Sequence, residues 1–259
     1  MKALVLSAGK GERLMPLTAT VPKPIVEVGG RPLIHYPLRM LAQAGVCEVA
    51  INVHHLAAAV ETALGRGDAL GLRITYAPET ALLGTGGPLV GLRAFFGSET
   101  FAVLNCDTII DLDLRALADF HRERGGLATM VLREPDNPDA YSKIEINSEA
   151  RIRRMRLLRG HAPADFDDYA CALTPDEAAR LAAFMYCGVM LCEPAVFELM
   201  PATPAPFSLM ADLFAPMVAQ GLPLFGYLHR GYFRTVDDLA SLERLRAEFA
   251  ASLPRLPFL

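Results

Sequence analysis

The sequence predicts an α/β protein: a three-layer α/β/α sandwich on a mostly parallel, mixed sheet. Three observations lead there. Short apolar runs alternate with segments of helical period through the first half of the chain, the pattern of a parallel sheet covered on both faces. Several of those runs end in glycine-, proline- or aspartate-containing loops, as strands do at a sheet edge. At 259 residues and 52% hydrophobic, the chain is also long and apolar enough for one large core. Residues 1–259 are read as a single domain with a regular half, 1–135, and a less orthodox half, 136–259.

In order, Ala3-Leu4-Val5-Leu6 is a buried strand bounded by Ser7, Ala8 and Gly9. Leu33 to Ala44 has apolar residues at 33, 34, 38, 41 and 42, a helical period ending at Gly45, with Pro37 expected to kink its first turns. Val46–Val53 reads as a second strand, Leu56–Leu64 as a helix and Leu72–Ala77 as a third strand. A helix is expected from the glycines at 84–87 to about Phe96. Phe101–Leu104 is the next strand, closed by Asn105-Cys106-Asp107. Asp111 and Asp113 precede a helix over Leu114–Arg124 and are expected to cap it. Leu127–Arg133 is one more strand.

Beyond it the pattern changes. Tyr141–Ile146 and Arg151–Leu157 alternate apolar and polar, which suits antiparallel strands with one wet face. Residues 159–183 form a long excursion, with Thr174-Pro175-Asp176-Glu177 opening a short helix. Pro201–Pro206 is a loop, Leu209–Ala219 a helix and Leu224–Leu228 a strand. Asp238–Phe249 is a terminal helix with apolar residues at 239, 242, 245 and 249.

The chemistry concentrates after the first strand. Gly9 and Gly11, separated by Lys10, allow a tight turn whose amides point at an anion. Arg13 adds a guanidinium fork suited to phosphate oxygens, and Lys23 is fixed between Pro22 and Pro24. A dinucleotide fingerprint would need a small residue where Leu14 stands and a helix where Pro16, Pro22 and Pro24 forbid one. A P-loop motif is absent as well. A polyphosphate cradle remains, against the plainer reading of a solvated glycine loop. A second glycine-rich loop, Leu83-Gly84-Thr85-Gly86-Gly87, follows the third strand; it is either a ligand-facing turn or simple βα punctuation. Asp107, at a strand's carboxyl end, shares the edge where α/β sheets bind ligands, so Mg²⁺ could bridge it to phosphate. A turn-capping role for Asp107 stays open.

Composition narrows the classes. A formal charge of −4 argues against a general nucleic-acid surface. No apolar run reaches the roughly 20 residues of a membrane span. The apolar run after Met1-Lys2 is cut off too early by Lys10–Arg13 for a signal peptide. Five cysteines, odd in number and without a C-x-x-C pair, suit reduced thiols in a cytoplasm.

The stretches LSAGKGERLMPLT (6–18), PKP (22–24), GGRPLI (29–34), LGTGG (83–87) and NCD (105–107) together resemble the sugar-nucleotidyltransferase family, densely over 1–135 and thinly afterwards. The compact bacterial uridylyl- and guanylyltransferases of that family are the most similar. The resemblance implies a Rossmann-like fold, Mg²⁺, and transfer of a nucleotide to a sugar 1-phosphate, with UTP expected ahead of GTP and CTP. It implies Arg13 and Lys23 as catalytic cations. Ala8, Gly9, Gly11, Glu79, Gly84, Thr85, Gly86, Gly87 and Asn105 fall on the nucleotide side, although Glu79 could equally cap a turn. Asp107 stands at the family's metal-binding position. The family's second metal aspartate aligns with Thr235, leaving Asp237 or Asp238 as substitutes or as caps of the last helix. Ser142, Leu157-Leu158-Arg159 and Tyr186-Cys187-Gly188 depart from the family's sugar-side motifs. A phosphocholine-type cytidylyltransferase and a non-catalytic nucleotide- or sugar-phosphate-sensing module are the alternative readings.

Overall fold

The computed structural model describes residues 1–159 and 165–259; residues 160–164 of the expected excursion lie outside the described residues. In chain order, β1 (Lys2–Leu6) leads through three 3₁₀ turns to a two-stranded ribbon, β2 (Glu27–Val28) and β3 (Arg31–Pro32). Gly29 and Gly30, with φ of 57° and 71°, make the two-residue turn that such a ribbon needs. Next come α1 (His35–Gln43), β4 (Glu48–Val53), α2 (Ala57–Leu64), β5 (Arg73–Pro78), α3 (Gly87–Gly91) and α4 (Arg93–Phe96). They are followed by β6 (Phe101–Asn105), β7 (Thr108–Ile110), α5 (Leu114–Arg124) and β8 (Ala128–Arg133). The second half adds β9 (Lys143–Ile146), β10 (Ile152–Leu158), β11 (Phe166–Ala170), α6 (Pro175–Ala179) and β12 (Ala182–Cys192). It ends with α7 (Ala215–Ala219), β13 (Leu224–Leu228), β14 (Phe233–Thr235) and α8 (Leu239–Ala251).

One large sheet runs β11-β10-β9-β12-β6-β1-β4-β5, with β8 on β12 and β13 on β8. β1 is parallel to β4 and β6, and β4 to β5. β12 is antiparallel to both β6 and β8, so β8 shares the direction of β6. The carboxyl ends of β1, β4, β5, β6 and β8 therefore lie along one edge. Along each strand the period of two divides residues between the layers. Ala3 and Val5 of β1, with Ala102 and Leu104 of β6, pack towards α1, α5 and α8. Leu4, Phe101 and Val103 pack on the opposite side with Leu89, Phe96 and Phe214. This is the expected three-layer sandwich.

The helices differ from expectation mainly in where they start and break. α1 starts at His35, so Pro37 sits in its first turn, where an amide has no helical partner to lose. The helix expected from 87 to 96 breaks at Leu92 into α3 and α4. The one expected over Leu209–Ala219 opens as a π turn, Leu209–Phe214, before α7. Pro216 lacks the N–H that a continuous α-helix would direct at the Asp212 carbonyl. Asp113 alone caps α5, accepting from the amides of Arg115 and Ala116. Asp111 instead lies 3.0 Å from His229. The short helix after Thr174 forms as expected, with a capping box between Thr174 and Glu177.

Candidate active site

The loop after β1 is braced from behind. Gly11 adopts φ +65°, open mainly to glycine. The Thr18 hydroxyl donates to the Gly11 carbonyl at 2.8 Å, and a His55 ring nitrogen meets the Thr18 carbonyl at 2.8 Å. Gly9 differs: a Cβ there would meet nothing within 4 Å. The protein itself has no packing need for glycine at 9, and the missing side chain leaves the space in front of the loop open. Ala8, Gly9, Gly11, Arg13 and Lys23 all line a cleft of about 1450 Å³ at the carboxyl edge of the sheet.

Charge gathers across this cleft. Lys23 Nζ forms a short ion pair with Asp107 Oδ2, both side chains mostly buried. Burial alone would depress the Lys23 ammonium, but the Asp107 and Asp237 carboxylates outweigh it and hold the pKa above its usual value. The second Asp107 oxygen, Oδ1, is buried without a hydrogen-bond partner among the described residues. Arg13 Nη2 reaches Asp237 Oδ1 at 3.1 Å. Burial, then repulsion from Asp107, raises the Asp237 pKa. Cys106 is sealed in, its thiol pushed up to about 12 by burial, so it stays protonated. β14 pairs with β7 so that Thr235 stands opposite Thr108, one residue after Asp107. Asp237, just past that strand, lines the cleft. Asp238 is the cap of α8, accepting from the Ser241 amide at 2.7 Å. Of the two candidate acids, Asp238 serves the helix and Asp237 faces Asp107.

The second glycine loop offers less to the cleft than expected. Gly84 and Thr85 line the cleft, but the Gly86 amide donates to the Phe207 carbonyl and the Gly87 amide to the Leu83 carbonyl. A Cβ on Gly86 would collide with the Phe207 ring, and one on Gly87 with the Ala205 carbonyl at 2.5 Å. These two glycines permit close packing, and their amides are not free for a ligand. Glu79 is also drawn inward. Its Oε1 accepts from Asn52 Nδ2 at 2.7 Å and its Oε2 from the Leu83 amide at 2.9 Å. Asn52 in turn accepts from the Ser7 amide at 2.8 Å. Glu79 thus ties the ends of β1 and β4 to the second glycine loop, is absent from the cleft lining and, through the Leu83 amide, braces the turn that follows it.

The opposite wall comes from the second half of the chain. Asn105 lines the cleft beneath Gly188, whose φ of +74° and closeness to Asn105 and Thr108 admit no side chain. The Ser142 hydroxyl accepts from the Leu158 amide at 3.0 Å, which joins the start of β9 to the end of β10. Tyr141, Arg133, Arg234 and Arg244 also line this side, and sequence reasoning singled out none of them as site residues. For Arg133 a signal existed: it ends β8, on the same edge as Asp107. No group of three or more His, Cys, Asp or Glu side chains suited to a metal gathers among the described residues. Asp107 and Asp237 offer two hard oxygen donors, the number Mg²⁺ takes when phosphates and water complete its shell.

Comparison with known proteins agrees with this picture. A family model described as nucleotidyl transferase matches residues 2–156. The chain is 30% identical over 240 residues to a UTP–glucose-1-phosphate uridylyltransferase of Synechocystis sp., covering 87% of this chain and 57% of the relative. It is 43% identical over 147 residues to a mannose-1-phosphate guanyltransferase of Kluyveromyces lactis, covering 56% and 41%. An N-acetylmuramate alpha-1-phosphate uridylyltransferase of Neisseria meningitidis serogroup B is 38% identical over 156 residues, covering 58% of this chain and 68% of the relative. The chain spans about half the length of the first two. Among solved structures, HddC from Yersinia pseudotuberculosis superposes with a TM-score of 0.74 at 18% identity, covering 96% of this chain and 99% of that one, which supports the fold. With the cradle loop and both cleft-edge motifs inside the matched span, the chain belongs to the nucleotidyl transferase family.

Proposed function

We propose that the protein joins a nucleoside triphosphate to a sugar 1-phosphate and releases pyrophosphate. The observation that carries this reading is one cleft lined by the Ala8–Arg13 loop, Lys23, Asp107 and Asp237. The names of the three relatives support the substrate class. In the reaction an oxygen of the acceptor phosphate bonds to the α-phosphorus. The bond from that phosphorus to the bridging oxygen breaks, and pyrophosphate leaves with the electron pair. No covalent nucleophile is needed, so catalysis rests on alignment and charge neutralisation.

The loop amides and Arg13 hold the triphosphate and the departing pyrophosphate. Lys23, already a cation against Asp107, moves to the α-phosphate as the nucleotide arrives. A Mg²⁺ held by Asp107 and Asp237 would neutralise phosphate oxygens that these cations leave uncompensated. The unpartnered Asp107 Oδ1 suits that ion. Thr235 at the aligned family position need not abolish activity, since Asp237 supplies the second carboxylate.

For the base we favour UTP. Guanyltransferases outnumber uridylyltransferases among the similar relatives, but the N-acetylmuramate alpha-1-phosphate uridylyltransferase is covered over 68% of its length, against 61% for a mannose-1-phosphate guanyltransferase of Debaryomyces hansenii. The test is pyrophosphate release with Mg²⁺ across UTP, GTP, CTP and dTTP, each against glucose, mannose and N-acetylmuramate 1-phosphates and phosphocholine. A clear preference for another triphosphate overturns the UTP assignment. Nucleotide binding without pyrophosphate release from any pair overturns the enzyme reading itself.

A further inference from the structure

We propose that Arg244 of α8, with Arg133 at the end of β8, binds the phosphate of the acceptor; this rests on the transfer reading above. The dianionic acceptor phosphate must approach a triphosphate that already engages the loop cations, so its wall of the cleft needs positive charge of its own. Three of the six lysines and arginines that line the cleft are held in ion pairs with Asp107, Asp237 or Glu248. Lys23 pairs with Asp107, Arg13 with Asp237, and Arg234 with Glu248 at 2.8 Å. Lys10 belongs to the glycine loop on the triphosphate side.

Arg244 is different. It lines the cleft, is exposed, and has neither a hydrogen bond nor an ion pair among the described residues. Arg133 has only a 3.4 Å contact with Asp136, whose side chain is 85% exposed, and it lies over the Phe233 ring at 5.3 Å. Stacking fixes its direction and leaves the guanidinium fork available.

The two arginines act on a common residue. Burial raises the Tyr141 hydroxyl pKa, as do Asp237 and Asp136, while Arg133 and Arg244 pull it down. Both arginines line the same cleft as Tyr141 and Asp237. Arg244 and Arg13 both act on the carboxylate of Asp238, after its hydrogen bonds from Ser241. Arg244 thus shares one cleft with Arg13 of the glycine loop and with Tyr141, Ser142 and Leu158. Arg159, the cation nearest the end of β10, does not compete. It is paired to Asp167 and Asp165 and does not line the cleft.

The test is Arg244→Gln and Arg133→Gln, with initial rates measured while each substrate is varied in turn. Affinity for glucose, mannose and N-acetylmuramate 1-phosphates is measured directly by calorimetry. Arg244→Gln should raise the acceptor KM and weaken acceptor binding roughly 10- to 100-fold, the effect of one lost charge-assisted hydrogen bond. The triphosphate KM and the melting temperature should stay at wild-type values. Arg244→Lys should recover part of the loss. Unchanged acceptor KM and affinity in Arg244→Gln overturns the assignment, as does an equal rise in the triphosphate KM. If wild type releases no pyrophosphate, a sugar 1-phosphate that binds wild type and not Arg244→Gln still supports it. Absence of binding by all three probes overturns it.

Discussion

Replacing Lys23 with alanine tests the centre of the site, because the lysine carries a structural and a chemical role that can be separated. Its side chain is 15% exposed and that of Asp107 is 14% exposed, so the substitution leaves a carboxylate largely buried without its cation. Breaking a fully buried pair from one side costs roughly 3–5 kcal/mol; the cleft opens to water, so about 2–3 kcal/mol is expected here. For a chain of this length that lowers the melting temperature by roughly 5–10 °C. Turnover should fall much further, on the order of 10²–10³-fold, the effect of removing one preorganised donor from the developing charge. The double variant Lys23→Ala/Asp107→Asn separates the roles. It removes the orphaned charge, so the melting temperature should return to within about 2 °C of wild type while turnover stays low. Calorimetric melting and a coupled pyrophosphate assay read the two outcomes. Lys23→Ala with normal turnover takes the lysine out of the chemistry and leaves it a structural partner of Asp107. A double variant that recovers activity refutes the reasoning altogether.

Other consequences follow from the same geometry. Asp237→Asn should raise the Mg²⁺ concentration needed for half-maximal rate with no change in melting temperature. Asp238→Ala should lower the melting temperature through loss of the α8 cap, about 1 kcal/mol, and leave the metal titration alone; the opposite pattern would exchange the two roles. Gly9→Ala should fold normally and raise the triphosphate KM, since its methyl group enters open space before the loop. Gly86→Ala should destabilise against the Phe207 ring; equal melting temperatures for the pair would sink this division. His121 is buried between Thr129 at 2.7 Å and Glu193 at 3.0 Å, and burial, opposed by Glu193, lowers its pKa. A lowered folded pKa means the neutral ring is favoured: its contribution is full above about pH 6.5 and is lost as pH falls through the folded pKa. The melting temperature of wild type should therefore fall from pH 7 to pH 5, and His121→Gln should flatten that slope.

Much of the fold could be read from the chain because local and global signals agree there. β1, β4, β5, β6 and β8 are compact apolar runs, and each lies within two residues of its predicted bounds. The second half hid more. β12, which joins β6, β8 and β9, reads as an unbroken apolar stretch around Gly188, without the alternation that marks a half-exposed strand. β7 and β14 are three residues each and exist only as a pair, so neither segment carries a period long enough to detect. The helix ahead of Pro216 turns on where a proline falls relative to the helix start, and the break at Leu92 follows no proline at all; both are boundary questions that composition does not answer.

The site divides along a similar line, and the division is informative about what glycines and acids mean in a sequence. Gly9, Gly11, Gly86 and Gly87 look alike on the page, yet they answer different demands. Gly11 is set by backbone conformation, Gly86 and Gly87 by neighbours that arrive from residues 205–207, and Gly9 by nothing within the protein. Only the last kind directly suggests a ligand, and it is recognised by open space once the fold is known. Asp237 and Asp238 follow the same logic. Adjacent in sequence, they diverge because α8 begins at Leu239, directly after Asp238: Asp238, as its cap, turns to the Ser241 amide, and Asp237 is left facing Asp107. Neighbouring carboxylates at a helix start can be assigned only when the cap is known. The residue that does not cap the helix is then the one available for chemistry. For the same reason Arg244, silent in the sequence, emerges once the charges around it are paired off.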